Sequence, residues 1–340
     1  MFNNAVFYMR YFFWFWTTTV QLAFYIVRSR RRETARAYAL LATIEQQYQG
    51  NFNKATRKKI AVSHGIYNPM ICDAFTRLHG RLTSDSEKMR LVHYFICSSL
   101  FDDFTDYPTI SEEQLLQLSF QPEQYHGDSF DEKVFRQSHL LLKEYVHDKA
   151  AYENIARQLY KAQLFSRKQS HSSLPEETIR EITFTKGGYA VLLCRHYLDV
   201  QATAAEDECW YRMGTIIQLT NDLYDIYKDL QEHITTLPGS MTNAYAFELF
   251  FLEQVNAMKA AIKALPYPQQ RKQTFSLAMA GIYSFGLIAL DQLKTLQGNA
   301  LQLPDLHTLP RKALIVDMEK MANRRKWFAF TYKHARLSAI

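Results

Sequence analysis

The sequence predicts an all-α protein, a single large antiparallel helical bundle with an extra hydrophobic helix at its N-terminus. Three observations carry that expectation. Its 340 residues include only 11 Gly and 9 Pro, little material for the turns that an all-β chain needs. Hydrophobic residues make up 47% and charged residues 22%, the balance of a globular chain with a large core. Helix-forming runs such as residues 36–44, Arg-Ala-Tyr-Ala-Leu-Leu-Ala-Thr-Ile, alternate with short polar breaks. No internal repeat and no linker is visible, so residues 33–340 read as one α-helical domain behind a separate hydrophobic helix at 1–32.

Residues 7–27 are aromatic and aliphatic, interrupted by Arg10, three Thr and Gln21, and closed by Arg28-Ser29-Arg30-Arg31-Arg32. No small-residue cleavage site follows, so this is not read as a cleaved signal peptide. Three readings compete: a helix on the membrane interface, a helix packed against the bundle, and a full span, for which the uninterrupted part is short. The basic flank places the body of the chain on the cytosolic side.

Helices then follow in order. One is expected at about 54–65, with Asn68-Pro69 as a turn, and another from Pro69 to His79-Gly80. Ser84 with Glu87 three residues on forms a capping pattern, opening a helix that Tyr107-Pro108 stops. Residues 108–130 read as an irregular flap. Helices at about 131–146 and 148–166 precede a solvated loop at 166–173, and Pro175 opens the next helix in its first turn. That helix carries Gly187-Gly188, a pair that costs about 1–2 kcal/mol relative to Ala and usually marks a break or a close approach. Further helices are expected at about 205–232, 241–265, 269–296 and 310–336.

Two of these helices carry the chemistry. In residues 218–229, Asn221, Asp225 and Asp229 recur every four residues, so their oxygens share one helical face. Ile216, Ile217, Leu219, Leu223 and Ile226 make the flanks apolar, where stacked carboxylates without a basic neighbour repel one another. A hard divalent cation relieves that repulsion. The plain alternative for any D-x-x-x-D is a solvated acidic face. Asp102, Asp103 and Asp106 form a second cluster, D-D-x-x-D, within another apolar run. Two such helices can face each other across a bundle and hold Mg²⁺ ions around a diphosphate.

The pair resembles the two metal-binding motifs of the class I isoprenoid synthase superfamily, over roughly residues 60 to 335. Asp102, Asp103 and Asp106 match its aspartate-rich first motif. Asn221, Asp225 and Asp229 match the second motif of terpene synthases, N-D-x-x-S/T-x-x-x-E, with Asp replacing the hydroxyl residue and the final Glu. Gln218-Leu219-Thr220-Asn221 and the later Leu237-Pro238 are similar to the squalene/phytoene synthase branch. That branch's basic residues ahead of the first motif are missing, Ser98-Ser99-Leu100-Phe101 standing there, and Lys228 replaces its acidic residue before the final Asp.

The resemblance implies a bundle of the isoprenoid-synthase type that ionises, and cyclises, a linear prenyl diphosphate with the help of three Mg²⁺ ions. The metal set is then Asp102, Asp103, Asp106, Asn221, Asp225 and Asp229. Gly187-Gly188 becomes the break in a helix that faces the substrate, and Lys186 and Arg180 become diphosphate contacts. Arg324, Arg325 and Tyr332 would grip the diphosphate late in the chain, with a solvated basic face as the alternative. Phe95, Phe101 and Tyr224 lie near the motifs. Aromatic content of 14% reads either as a bulky core or as cavity walls that stabilise carbocations.

Within the superfamily, head-to-head synthesis of the squalene/phytoene type is the runner-up, and chain-elongating prenyl transfer the third reading. A non-catalytic prenyl-lipid-binding protein at a membrane, and a helical metal hydrolase or di-iron protein using Glu144 and His147, are the readings from other classes. The second E-x-x-H, Glu123 to His126, falls in a Pro-containing stretch and not on a bundle helix. Cys72, Cys97, Cys194 and Cys209 are scattered without zinc spacing, and read as small hydrophobes in a reducing compartment. A formal charge of +6 without a recognition module argues against nucleic acid. The expected location is cytoplasmic, peripheral on the cytoplasmic face of a membrane through residues 1–32, and a homodimer is compatible with the sequence.

Overall fold

The computed structural model describes residues 2–170 and 174–337. The chain is all-α, and it divides into two compact units, Met1–Arg157 with Leu193–Gln201, and Gln158–Leu192 with Ala202–Ile340.

The first unit opens with α1 (Phe2–Gln47), a single helix that runs without interruption through the Arg-rich run. The expected boundary at 32/33 is therefore not a break between helices. Residues 28–47 are good helix formers with no Gly or Pro, so propagation continues where composition changes. The first helix to pack against it is α2 (Lys54–Tyr67), capped by Asn53, whose side chain accepts the Ala55 N–H. At Asn68–Cys72 the chain forms one π-helical turn and passes directly into α3 (Asp73–Leu78). Pro69 lacks an N–H and displaces the ordinary ladder there, but it does not produce the expected turn.

The capping box at Ser84 and Glu87 is present, and α4 (Asp85–Asp106) ends at Tyr107. The stretch expected to be irregular contains α5 (Glu112–Phe120), opened by a capping box of Ser111 and Gln114. The same device at Ser129 and Glu132 opens α6 (Phe130–Glu144), and α7 (Lys149–Ser166) follows. Helix α4 packs on both α2 and α6. Phe75, Leu78, Leu91, Ile96, Leu100 and Tyr197 fill this unit's core.

Charged groups buried in this unit are paired. Glu33 is fully buried and accepts from Arg32 and Arg36, each at 2.8 Å. Despite burial, its His64, Arg32 and Lys88 neighbours hold its carboxyl down to about 2. Arg90 forks onto both oxygens of Asp199, and Glu87 accepts from Arg81 and from the Asp199 N–H.

The second unit is built on α8 (Glu176–Arg195), α9 (Ala204–Gln231), α10 (Ala244–Ala264) and α11 (Gln269–Gln297). Residues 171–173 of the expected loop lie outside the described residues; the preceding Arg167–Ser170 is a 3₁₀ turn. Thr203 and Glu206 cap α9 reciprocally. Helix α9 packs on α10 and α11, around Trp210, Met213, Phe251, Met279 and Tyr283. The helix expected at 310–336 is two: α12 (Arg311–Leu314) and α13 (Met321–His334). Gln292 donates to the carbonyls of Ala313 and Ile315, and extended Ile315 ends the first piece. Helix α13 lies along α11, fixed by Trp327 Nε1 donating to the Gly281 carbonyl at 2.8 Å. Cys72, Cys194 and Cys209 are buried, and none of the four cysteines is in a disulfide.

Candidate metal and diphosphate site

In the first unit, Asp102, Asp103 and Asp106 occupy the last turn of α4. Carboxylates there oppose the negative end of the helix dipole, at roughly 0.3–1 kcal/mol each. No basic residue stands in that turn, so compensation comes from α2. Lys59 Nζ lies 2.6 Å from Asp102 Oδ2, and Thr56 donates to Asp103 Oδ2 at 2.5 Å. Asp106 is exposed at the helix end. Asp131, in the first turn of α6, joins this group. Burial raises its carboxyl above the ordinary range, with Asp103 and then Glu132 adding to the effect. One Asp131 oxygen is buried without a hydrogen-bond partner among the described residues.

In the second unit the acidic row lies on α9. A glycine contact sets how closely α8 approaches it. A Cβ on Gly187 would lie 2.5 Å from the Gly214 carbonyl oxygen, and one on Gly214 would lie 2.1 Å from that of Gly187. Gly188 is covered by the Tyr211 ring in the same way. Helix α8 therefore runs unbroken through Gly187-Gly188, and the expected break is a close helix crossing. The missing side chains serve packing between backbones, which outweighs their cost in helix propensity.

That crossing brings Lys186 to Asp222, and Gln218 reaches it from one turn earlier on α9. Gln218 Nε2 donates to Asp222 Oδ1 at 2.8 Å. Asp222 and Asp229 are each only 8% exposed, whereas Asn221 and Asp225 are exposed. The acidic row is thus Asp222, Asp225 and Asp229, spaced i, i+3, i+7, with Asp222 and Asp229 turned inward and Asp225 and Asn221 along its exposed edge. Burial raises the Asp222 carboxyl to about 6, Gln218 and Lys186 opposing and Asp225 reinforcing the rise. Burial raises Asp229 to about 7, and Asp222 and Asp225 push in the same direction. Asp225 is raised by burial too. Among the described residues no salt bridge reaches these three groups, and Lys228 pairs with Glu232 at 3.7 Å.

Oxygen donors that are partly desolvated and repel one another fit a hard divalent cation. Among the described residues no three His, Cys, Asp or Glu side chains close around a single point. A cation at this row would therefore have to take most of its ligands from water or from a bound ligand.

The remaining expected residues have other surroundings. Arg180 pairs with Glu176 at 2.8 Å and lies over the Phe250 ring. Phe95 is a core residue packed edge-on against His64, Tyr67 and Tyr94. Phe101 is half-buried. Tyr224 is half-buried, and its phenol, raised by burial, has no hydrogen-bond partner among the described residues. Arg324 and Arg325 are exposed on α13, Arg324 donating to the Met318 carbonyl, and Tyr332 is half-buried. Glu144 ends α6 and His147 lies beyond it, so that E-x-x-H does not sit on one helix.

The sequence reading passed over Asp222 and Asp131. The signal for Asp222 was its place in the apolar helix one residue after Asn221, which puts it about 100° further round toward Leu219 and Ile226. No sequence signal ties Asp131 to Asp103, because their proximity comes from tertiary packing. No protein-family model and no curated protein matches the chain.

Proposed function

We propose that this protein is a Mg²⁺-dependent enzyme of the class I isoprenoid synthase type, ionising and cyclising a linear prenyl diphosphate with release of diphosphate. One observation supports the reading: a row of three carboxyl groups on α9, two of them buried and raised to about 6 and about 7, with no salt bridge among the described residues. A solvated acidic face has neither the burial nor the shifts. Perturbed acids of this kind mark functional sites.

Asp222, Asp225, Asp229 and Asn221 on α9 would hold Mg²⁺, which would supply the Lewis-acid pull on the leaving group, and Asp102, Asp103 and Asp106 on α4 would hold Mg²⁺ within their own unit. The allylic C–O bond would break with both electrons leaving on the diphosphate oxygen, and the resulting cation would be discharged by loss of a proton or by capture of water. Lys186 sits where its ammonium adds positive charge beside that row. Gln218 holds one Asp222 oxygen and so fixes the orientation of that carboxyl group. Tyr224 lies on the same helix, about 100° round from Asp225, and is the aromatic ring on α9 assigned to cation–π contact in this reading.

A second reading, head-to-head coupling, is favoured by Gln218, the first residue of the Q-L-T-N run and the partner of Asp222. Purified protein incubated with ten-, fifteen-, twenty- and twenty-five-carbon prenyl diphosphates, with and without Mg²⁺, tests both. A Mg²⁺-dependent hydrocarbon or alcohol of unchanged carbon count, lost in Asp225→Ala, is the expected product. A doubled carbon count transfers the assignment to coupling. Folded protein that turns over no chain length, alone or in pairs, refutes both and leaves a non-catalytic prenyl-lipid-binding protein.

A further inference from the structure

Helix α1 has a buried face and an exposed apolar face. Phe15, Thr19, Ser29, Glu33, Ala37 and Leu41 are buried, and on this side the Tyr25 hydroxyl donates to Asp73 at 2.5 Å. On the other side Met9, Phe12, Phe13, Trp16, Val20, Phe24 and Val27 are exposed, Phe13 by 60% and Phe24 by 69%. At about 100° per residue these seven fall in one sector of about 120°. Between Met9 and Val27 the only other residue in that sector is Ala23, also exposed. Isolated exposed apolar residues are ordinary, but a continuous stripe marks a surface that something covers.

Charge identifies the cover. The stripe runs directly into Arg28, Arg30 and Arg31, all exposed, and Arg30 and Arg31 continue its sector. An apolar strip that ends in a cationic cluster complements a layer that is apolar beneath and anionic at its surface. Among the described residues α11 is the one helix long and apolar enough to cross a bilayer, and Phe275, Leu277, Ile282, Leu287 and Leu290 bury it in the second unit. Helix α1 is not such a helix. We propose that α1 lies in the plane of an anionic lipid bilayer, inserting the Met9–Val27 stripe among the acyl chains with Arg28, Arg30 and Arg31 at the headgroups. Such helices bury their apolar face roughly 5–10 Å deep. This inference is independent of the chemistry proposed for α4 and α9.

Flotation of the full-length protein with vesicles tests it, using phosphatidylcholine alone and phosphatidylcholine mixed with phosphatidylglycerol. Wild-type protein is expected to float with the mixed vesicles, with a blue shift of tryptophan emission and weakening in high salt. The triple variant Phe13→Gln, Val20→Gln, Phe24→Gln, folded by circular dichroism because all three side chains are exposed, should bind at least about tenfold more weakly. The variant Arg28→Gln, Arg30→Gln, Arg31→Gln should lose its preference for anionic vesicles by at least about tenfold. Wild-type protein that floats with neither vesicle, or a stripe variant that floats like wild type, overturns the proposal. So does a dimer without flotation that the stripe variant converts to monomer, because a second copy would then be the cover.

Discussion

At the end of α4, Asp102 meets the Lys59 ammonium at 2.6 Å and Asp103 accepts the Thr56 hydroxyl. On α9, Asp222 has an amide donor and Asp229 has two carboxyl neighbours. Both rows are three acids on an apolar helix, and in sequence they look alike. The first row is compensated by a flexible cation on a neighbouring helix, at an accessible helix end. In the second, Asp222 and Asp229 are desolvated and compensated by partial protonation, while Asp225 stands at the exposed edge. A row neutralised by lysine can exchange that lysine for a metal, whereas a row neutralised by protons must release protons to take one. The same motif chemistry therefore stands in two different resting states.

The largest expected effect breaks the comparison at its functional end. Asp225→Ala and Asp102→Ala should each lower Mg²⁺-dependent diphosphate release by at least about a hundredfold, the scale on which removing charge stabilisation at a reacting centre acts. In the same assay Arg325→Ala, on an exposed face, should lose less than about threefold. Loss on α9 with none on α4 would mean that the Lys59 pair is purely structural.

Next in size is the contact that positions the α9 row. Gly187→Ala places a methyl group 2.5 Å from the Gly214 carbonyl oxygen, so overpacking of about 2–3 kcal/mol is expected. Thermal unfolding measures it, and a neutral result would show that α8 and α9 can separate freely there.

The protonation difference gives the third test. Asp222 and Asp229 bind protons more tightly folded than unfolded. Their contribution is full below the unfolded range, near pH 4, and is lost as pH rises through about 6 to 7. Glu33, held down to about 2, acts oppositely, stabilising at neutral pH and losing that contribution only in acid. Asp229→Asn should therefore flatten the fall in melting temperature between pH 5 and 8 without Mg²⁺, a change on the order of 2 kcal/mol. An unchanged slope would mean that the acids on α9 are not desolvated.

The smallest effect is on α4. The Lys59–Asp102 pair is partly exposed on both sides, so Lys59→Gln should change stability by no more than about 1 kcal/mol. Mg²⁺ affinity should rise, since a competing cation is removed. A fall in affinity would make Lys59 a part of the site.

Local signals were legible in the sequence where they decided the structure locally. Ser84 with Glu87 formed the capping box that opens α4, and α9 begins and ends within a residue of its expected bounds. Helix α5 was missed because Ser111 and Gln114 cap a helix within a stretch whose Pro122 and Gly127 read as loop. The unbroken α8 was missed for a different reason. A glycine pair means either a break or a close approach, and only the carbonyl of Gly214, 26 positions after Gly188, decides between them. The acidic rows were legible as rows. Which member turns inward was not, because burial of Asp222 depends on what α8 brings against it.

The most direct measurement is a calorimetric titration of Mg²⁺ into the full-length protein with inorganic diphosphate, repeated in buffers of different ionisation enthalpy at about pH 7, where metal binding to protonated acids must release protons. The account predicts saturable, diphosphate-dependent binding with net proton release, and at least about tenfold weaker binding in Asp225→Ala. Binding without proton release, or equal binding in Asp225→Ala, would contradict it, because the α9 carboxyl groups would then not be the cation seat.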